Sequence, residues 1–487
     1  MAPSLRSFSL RQALSVLFLI WSSLLVAAAP AVFSPENGTM ASEPRRIEKR
    51  QTTATSKLVF AHFLVGIVSN RKSAADYDAD MKRAKAVGID AFALNIGTDS
   101  YTDQQLGYAY TSAANNGMKV FISFDFSYWN VQDPAAVGKK IKQYASQSAQ
   151  LKIGSKVFAS SFLGSNLNVP AMRTAAGVDV FWAPNAAAYG TSAANLDGAL
   201  NWGAWPNNGA NRAPTASANY SVESGDATYK AWLGTKPYIA PVSPWFFTHF
   251  GKEVSWSKNW VFPSDLLWLK RWKSILNSKP QFVEILSWND YGESHYVGPL
   301  SSKHTDDGSS KWAKNMPHNG WLDMAQPFIA AYKAGATVPE YFISAERLVY
   351  WHRPTPKNVN CDGTDNAGTK PDGWNQLADS VFVVTFLTAP STLTVTSGSN
   401  TRTFSAPAGI TAFQVPMGLG VQSFLLKRGS RTIFSGQSPL KVTNVCPCGI
   451  YNYNAYVGTL NAGAADALDS DGLAQFNVGL KSGTCTS

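Results

Sequence analysis

Two acids stand out for where they fall. The apolar, β-rich run Gln281–Ser287 (QFVEILS) leads directly into Trp288-Asn289-Asp290-Tyr291-Gly292-Glu293-Ser294-His295, placing Asp290 and Glu293 three residues apart among aromatic and hydrogen-bonding groups. Two neighbouring carboxyls of unequal acidity are the equipment for breaking a glycosidic bond. One, protonated, assists the leaving oxygen; the other, ionised, activates water or attacks directly. Burial beside Trp288 or Tyr291 is expected to raise one of the two pKa values, as that chemistry requires. Acids at this spacing are more often a solvated loop. Their position at a strand end makes them candidates.

Further polar groups fall near strand ends. Asp125 closes Phe121-Ile-Ser-Phe-Asp125-Phe126, His62 lies in Ala61-His62-Phe63, and Asn95 in Leu94-Asn95-Ile96. Each is read either as a satisfied core polar group or as a partner for a sugar hydroxyl. The sixteen tryptophans are unevenly spread: eleven lie between Trp202 and Trp321 and none follows Trp374. Flat rings stack on the apolar C–H faces of pyranoses, so Trp202, Trp205, Trp245, Trp288 and Tyr291 are candidate substrate contacts. Trp268 and Trp272 have helical i, i+4 spacing and read as packing residues.

Other chemistries lack their signatures. The six histidines form no H-E-x-x-H pair, no G-x-S-x-G elbow occurs, and no G-x-G-x-x-G or P-loop follows a strand. No metal or other cofactor is expected. The net charge is +10, and without a Lys/Arg-rich run this argues against nucleic acid as a partner.

These groups need a scaffold that gathers strand ends. From about residue 57 to 336, apolar runs (Lys57–Val65, Asp90–Asn95, Lys119–Phe126, Lys156–Phe162, Val178–Ala183, Pro237–Val242, Gln281–Ser287) alternate with helical patterns such as Ala74–Ala86, Asp103–Asn115 and Ala135–Gln150. A βα repeat of roughly 30 residues predicts an α/β fold, a (β/α)8 TIM-type barrel, with its active site at the C-terminal strand ends. A doubly wound sheet is the competitor. After about residue 340, Ser380–Thr388, Ser391–Thr396, Thr411–Val415, Val421–Lys427 and Arg431–Phe434 read as short strands of a C-terminal β-sandwich. The weakly patterned Gly458–Ser487 is expected to wrap that sandwich. The predicted domains are thus a barrel over 51–338 and an accessory sandwich over 339–487.

The beginning of the chain reads as processing signals. Arg6 and Arg11, an apolar stretch Ala13–Val26 and Ala27-Ala28-Ala29 predict a signal peptide over 1–29. Residues 30–50 read as a pro-segment ending in the dibasic Lys49-Arg50. The expected product is secreted, extracellular or wall-associated, with no membrane attachment after signal removal, and monomeric. Asn219 carries a glycosylation sequon that would survive processing; Asn37 carries one that would not. Four cysteines in a secreted chain predict two disulfides. A Cys446–Cys448 bridge would close a very tight ring, so Cys361 and Cys485 are each expected to take one of that pair.

Taken in order, several stretches carry a family resemblance. They are Ala61-His62-Phe63-Leu64-Val65-Gly66, Gly88–Gly97, Ser123-Phe-Asp125, Pro241-Val-Ser-Pro-Trp245-Phe-Phe, Lys258-Asn-Trp260 and Glu284–Ser294. Residues 58–335 resemble glycoside hydrolase family 71, the fungal α-1,3-glucanases or mutanases. The resemblance implies a barrel with a β-sandwich partner, endo-type hydrolysis of α-1,3-glucan with inversion, and no required metal. It carries the catalytic role onto Asp290 and Glu293, with Glu293 expected as general acid and Asp290 as general base. The chain departs from the family pattern at Leu163, where an acid is common, and at Asn185, where an aspartate follows the proline. The alternatives are a wall-glucan-binding protein without turnover and a barrel glycosidase of another linkage specificity.

Overall fold

The inward-facing side chains decide what this fold can hold. The computed structural model describes residues 57–186, 192–460, 466–481 and 485. The expected signal peptide, pro-segment and Asn37 sequon lie outside the described residues. The first strands are β1 (Leu58–Leu64), β2 (Ala91–Ile96), β3 (Lys119–Asp125), β4 (Lys152–Ile153), β5 (Lys156–Phe162), β6 (Val180–Trp182) and β7 (Ala199–Leu200). β8 (Tyr238–Val242), the hairpin strands β9 (Phe247–Phe250) and β10 (Lys258–Val261), and β11 (Phe282–Ile285) follow. Between them lie α1 (Asp78–Val87), α2 (Thr102–Asn116), α3 (Pro134–Tyr144), α4 (Val169–Ala176), α5 (Val222–Leu233) and α6 (Leu267–Ser278), and after them α7 (Ser310–Ala313) and α8 (Asn319–Lys333).

Parallel pairing runs β6–β5–β3–β2–β1–β11–β8–β7, with β4 antiparallel to β5 at its side. Backbone hydrogen bonds link the two ends of this curled sheet: Gly198 N donates to Trp182 O (3.4 Å) and Leu200 N to Pro184 O (2.9 Å). The two-residue β7 was not anticipated from sequence. Seven longer strands lie where their apolar runs predict. At Gly88, which ends α1 with φ +96°, a Cβ would come within 2.9 Å of Ile329 in α8, so only glycine permits this packing of first helix on last.

Alternate residues of each strand point inward, and their character changes along the strand. Phe60, Phe121, Phe158, Phe181 and Phe282 form a buried plug. Phe158 sits at its centre, with ring centroids 5.4, 4.6, 5.1 and 5.9 Å from those of Phe60, Phe121, Phe181 and Phe282. Two residues further along their strands come His62, Ser123, Ser160 and Glu284, all buried. His62 Nδ1 lies 2.8 Å from Glu284 Oε1. A buried ionisable pair is tolerated when its members satisfy each other.

The C-terminal part contains two four-stranded antiparallel sheets. One has the order β16 (Gly409–Pro416), β13 (Ser380–Leu387), β12 (Arg347–His352), β19 (Tyr456–Leu460). The other has the order β15 (Asn400–Ala406), β14 (Ser391–Ser397), β17 (Gln422–Arg428), β18 (Arg431–Gln437). Leu348, Tyr350, Val381 and Val383 meet Leu393, Val395, Phe424 and Leu426 between them. The other face of the first sheet (Val349, Trp351, Phe382, Val384) joins the large core with Trp321 and Phe328 of α8. Burial on both faces explains why β13 is continuously apolar rather than alternating. β12, β15 and β19 were not anticipated.

Disulfides join Cys361 to Cys446 and Cys448 to Cys485. Each member of the close pair takes a distant partner, as spacing predicted. Beyond β19, the described part of the tail does not wrap the sheets as expected; it laces the loops after β11 and β1. Asp466 accepts from Leu300 N and Ser301 N (both 2.8 Å), Gln475 N donates to Asp306 (2.7 Å), and Asn70 donates to Asp471 (2.9 Å). Its carboxylates find backbone and carboxamide donors in those loops.

Phe158→Ala should lower unfolding free energy by about 3–5 kcal/mol, the range for truncating a well-packed aromatic. Denaturant unfolding of the chain from Gln51 measures it; a loss below about 1 kcal/mol would show that the plug collapses around the gap.

Candidate active site

A cleft of about 770 Å³ opens above the buried polar layer. The loops following the strand ends build its walls, and seven of the residues expected at the site line it: His62, Asn95, Asp125, Trp202, Trp205, Asp290 and Glu293. The ring of His62 meets Trp202 edge-on at 4.8 Å while Nδ1 stays on Glu284. Asp125 caps the next turn by accepting from Ser127 N (2.9 Å). Trp205 borders the cleft but is 3% exposed, with its indole N–H on Trp245 O and its face on Phe262. Leu163 and Asn185 also line the cleft and touch, since Leu163 N donates to Asn185 Oδ1 (3.4 Å). The two departures from the family pattern therefore share one stretch of wall.

Three expected contacts are placed elsewhere. Trp288 is fully buried with its indole N–H on Asp80 (3.0 Å). Trp245 is buried against Trp321 and donates to Tyr453 O. Tyr291 is buried with its hydroxyl on Pro299 O. Each has spent both ring face and polar atom on the interior, so none offers a face to a sugar. Loop-like sequence context did not reveal this: Trp245 packs under Trp321 and Tyr453, Tyr291 under the loop at Pro299 and His304, and Trp288 against Phe92 and Asp80.

The carboxylate pair is held by a local network. Glu293 N donates to Asp290 Oδ1 (2.9 Å), and Asp290 N donates to Ser287 Oγ (2.9 Å). His295 Nδ1 lies 3.0 Å from the same Ser287 Oγ, while its Nε2 lies 3.1 Å from Glu293 Oε2 and 3.5 Å from Asp290 Oδ2. Nε2 carries a proton, since a bare ring nitrogen would repel the carboxylate it faces. Lys258 Nζ completes the site 2.7 Å from Glu293 Oε1. The hairpin that carries Lys258 is pinned to the loop by Phe247 N donating to Glu293 O (3.0 Å).

The two acids differ in acidity. Burial raises the pKa of Asp290 to about 6, with the neighbouring Glu293 charge adding and His295 and Lys258 opposing. Burial also works against ionisation of Glu293, but Lys258 and His295 outweigh it and hold the carboxyl at about 2. Between about pH 2 and about pH 6 the surroundings thus favour a proton on Asp290 and the charge on Glu293. Asp307, buried in the same wall, is raised by burial, with Asp306 adding and Ser309 opposing.

Asp290, Glu293 and His295 each offer one ligand atom within 4.8 Å of the others, the one such group of three found among the described residues. Both Glu293 oxygens already receive donors, and the Lys258 ammonium supplies positive charge where a cation would. Lys258, His295 and Asp307 were missed in the sequence. Signals existed for two: His295 is two residues beyond Glu293, and Lys258 opens the Lys258-Asn-Trp260 motif. Asp307 had none.

Two carboxyls of split acidity in a cleft with polar and aromatic walls are the working parts of a glycoside hydrolase. The chain matches the model of glycosyl hydrolase family 71 over residues 55–469 and belongs to that family. It is 43% identical over 457 residues to a mutanase of Penicillium rubens, covering 91% of this chain and 97% of the relative. It is 35% identical to the glucan endo-1,3-alpha-glucosidase agn1 of Schizosaccharomyces pombe, covering 84% and 96%. The ascus wall endo-1,3-alpha-glucanase of the same yeast is 27% identical, covering 83% and 97%.

The pKa order predicts a bell-shaped pH profile. The pair holds one proton between about pH 2 and about pH 6, so kcat/KM should fall as pH rises through about 6. Lys258→Met removes a charge that favours ionisation of both acids, so both limbs should move to higher pH. Unmoved limbs would show that Lys258 does not set the acidity of the pair.

Proposed function

We propose that the chain is a secreted hydrolase of α-1,3-glucan, cutting within chains by direct displacement at Asp290 and Glu293. The observation that carries this reading is the strand-end pair itself: two acids three residues apart, lining one cleft, with Lys258 and His295 placed on Glu293. The names of the relatives, a mutanase and two endo-1,3-alpha-glucanases, support the substrate.

In the reaction, one carboxyl gives its proton to the glycosidic oxygen as the C1–O bond breaks. The other takes a proton from the water that attacks C1 from the opposite face, and the water is divided between the two products. Donation by Asp290 uses the charge state of the free site as it stands. Donation by Glu293, the role expected from the resemblance, requires substrate to draw Lys258 away and the proton to pass across from Asp290. Inversion needs carboxyls about 6.5–9.5 Å apart to admit the water, whereas an oxygen of each acid here lies within 4.8 Å of the other. On this reading the bound sugar and water spread the pair as Glu293 is released from Lys258 and His295.

The finer architecture belongs to the same proposal. Eight parallel strands with hydrogen-bonded ends support a (β/α)8 barrel over 51–338, and the two facing sheets support a β-sandwich over 339–487. The relatives' names support a wall or extracellular polysaccharide as partner, and the chain is read as a monomer. Among the described residues no helix is long and apolar enough to cross a membrane. Asn219 is exposed and open to glycosylation.

Sugar release from insoluble α-1,3-glucan, beside β-1,3-glucan, α-1,4-glucan and chitin, tests the reading. Release is expected from the first alone, with Asp290→Asn and Glu293→Gln each reducing it by about three or more orders of magnitude. A substrate whose leaving group needs no proton separates the roles, because the variant lacking the acid keeps activity on it. Newly formed reducing ends should appear first as the β-anomer. An initial α-anomer would overturn direct displacement, and binding without hydrolysis of any polymer would overturn the enzymatic reading.

A further inference from the structure

Core tryptophans such as Trp245, Trp268, Trp288 and Trp321 bury their ring faces, but two aromatic rings at the cleft do not. Tyr128 is 69% exposed and Trp256 56% exposed, and both line the cleft that holds Asp290 and Glu293. Neither stacks on another aromatic ring among the described residues. Single exposed aromatics are ordinary on protein surfaces. Two on the rim of one catalytic cleft, each on a braced loop, are not explained by packing.

Both loops are built to hold the rings out. After β3, Tyr128 N and Trp129 N both donate to Asp125 O (3.0 and 2.9 Å), and Trp129 turns inward to put its indole N–H on the carbonyls of Ile96 and Gly97 (3.1 Å each). Tyr128 is left facing out. In the β9–β10 hairpin, Glu253 anchors the turn by accepting from Gly251 N (3.2 Å), Lys311 Nζ (3.1 Å) and Asn366 Nδ2 (2.8 Å). Ser257 Oγ closes it on Phe250 O (2.9 Å), with Trp256 at the outer edge. Around the sheet, the order β3–β5–β6–β7–β8 places the strands that feed these loops four positions apart in a ring of eight. The two rings thus rise from opposite sides of the mouth, and the carboxylate pair, from β11, lies between β8 and β1.

We propose that Tyr128 and Trp256 are outer sugar platforms, each stacking on a pyranose of one linear glucan chain that crosses the mouth with glucosyl units on both sides of the cut bond. This rests on the α-1,3-glucan reading above and adds where the chain lies. It makes the cleft one that grips chain interiors, with length of polymer, not the end unit, as the recognised feature.

The test compares Tyr128→Ala, Trp256→Ala, the double variant, and Tyr128→Phe and Trp256→Phe. Depletion from solution by insoluble α-1,3-glucan is measured in the Glu293→Gln background, and kcat/KM is measured in the active chain on polymer and on the shortest cleaved oligosaccharide. Each alanine variant should weaken polymer binding about three- to tenfold, the pair multiplying, with the phenylalanine variants near the parent. On the short substrate kcat/KM should change less than about twofold. Wild-type-like polymer binding by the double variant overturns the platforms, as do equal losses on short and long substrates, which mark the rings as supports of the catalytic site. Aromatic-dependent binding to a different glucan keeps the platforms and overturns the linkage; no binding to any polysaccharide overturns both.

Discussion

Five phenylalanines packed ring against ring beneath the cleft are the constraint on which the upper structure rests. Because strand side chains alternate, the same strands that contribute Phe60, Phe121, Phe158 and Phe282 must present His62, Ser123, Ser160 and Glu284 one inward step later. The plug thus converts a hydrophobic interior into a polar floor within one repeat. It also denies water a path from below, so the His62–Glu284 pair sits in a low dielectric where its mutual attraction is strong and the loss of either partner is costly. Everything that faces substrate is mounted on that floor.

Above it, charge rather than packing does the selecting. Two acids three residues apart in a buried loop cannot both ionise cheaply. Lys258 and His295 break the tie by placing their donors on Glu293 and leaving Asp290 to burial. The groups arrive from separate elements: the acids and His295 from the loop after β11, Lys258 from a hairpin inserted after β8. The hairpin is thus part of the electrostatics of the pair as well as its wall, and Phe247 N on Glu293 O keeps the two in register.

Much of this was legible in the sequence where a local signal existed. The runs at Lys57–Val65, Lys119–Phe126 and Gln281–Ser287 are apolar on both faces and bounded by turns, and they became β1, β3 and β11. The W-N-D-Y-G-E stretch could be placed at a strand end for the same reason. Ala199–Leu200 could not be seen, because two residues carry no period, and β12 and β19 are defined by long-range pairing across more than a hundred residues. The site residues divide the same way. Asp290 and Glu293 are adjacent in sequence, whereas Lys258 reaches them only through the hairpin fold. Trp245, Trp288 and Tyr291 show the opposite failure: polar, glycine-containing surroundings look like surface loops until chain distant in sequence covers them.

Contact with distant chain has a temporal side. The amides of Leu300 and Ser301, beside the catalytic loop, are satisfied by Asp466, which lies 166 and 165 residues further along the chain. At a synthesis rate of about 5–20 residues per second, those amides wait roughly 8–33 s for their acceptor. The loop that follows the catalytic segment is therefore among the last parts of the molecule to be fastened, as is the far end of the tail, held by the Cys448–Cys485 bond. A nascent chain with its strands already paired still lacks this clasp. Fastening of this loop is coupled to the end of synthesis rather than to the folding of the central sheet.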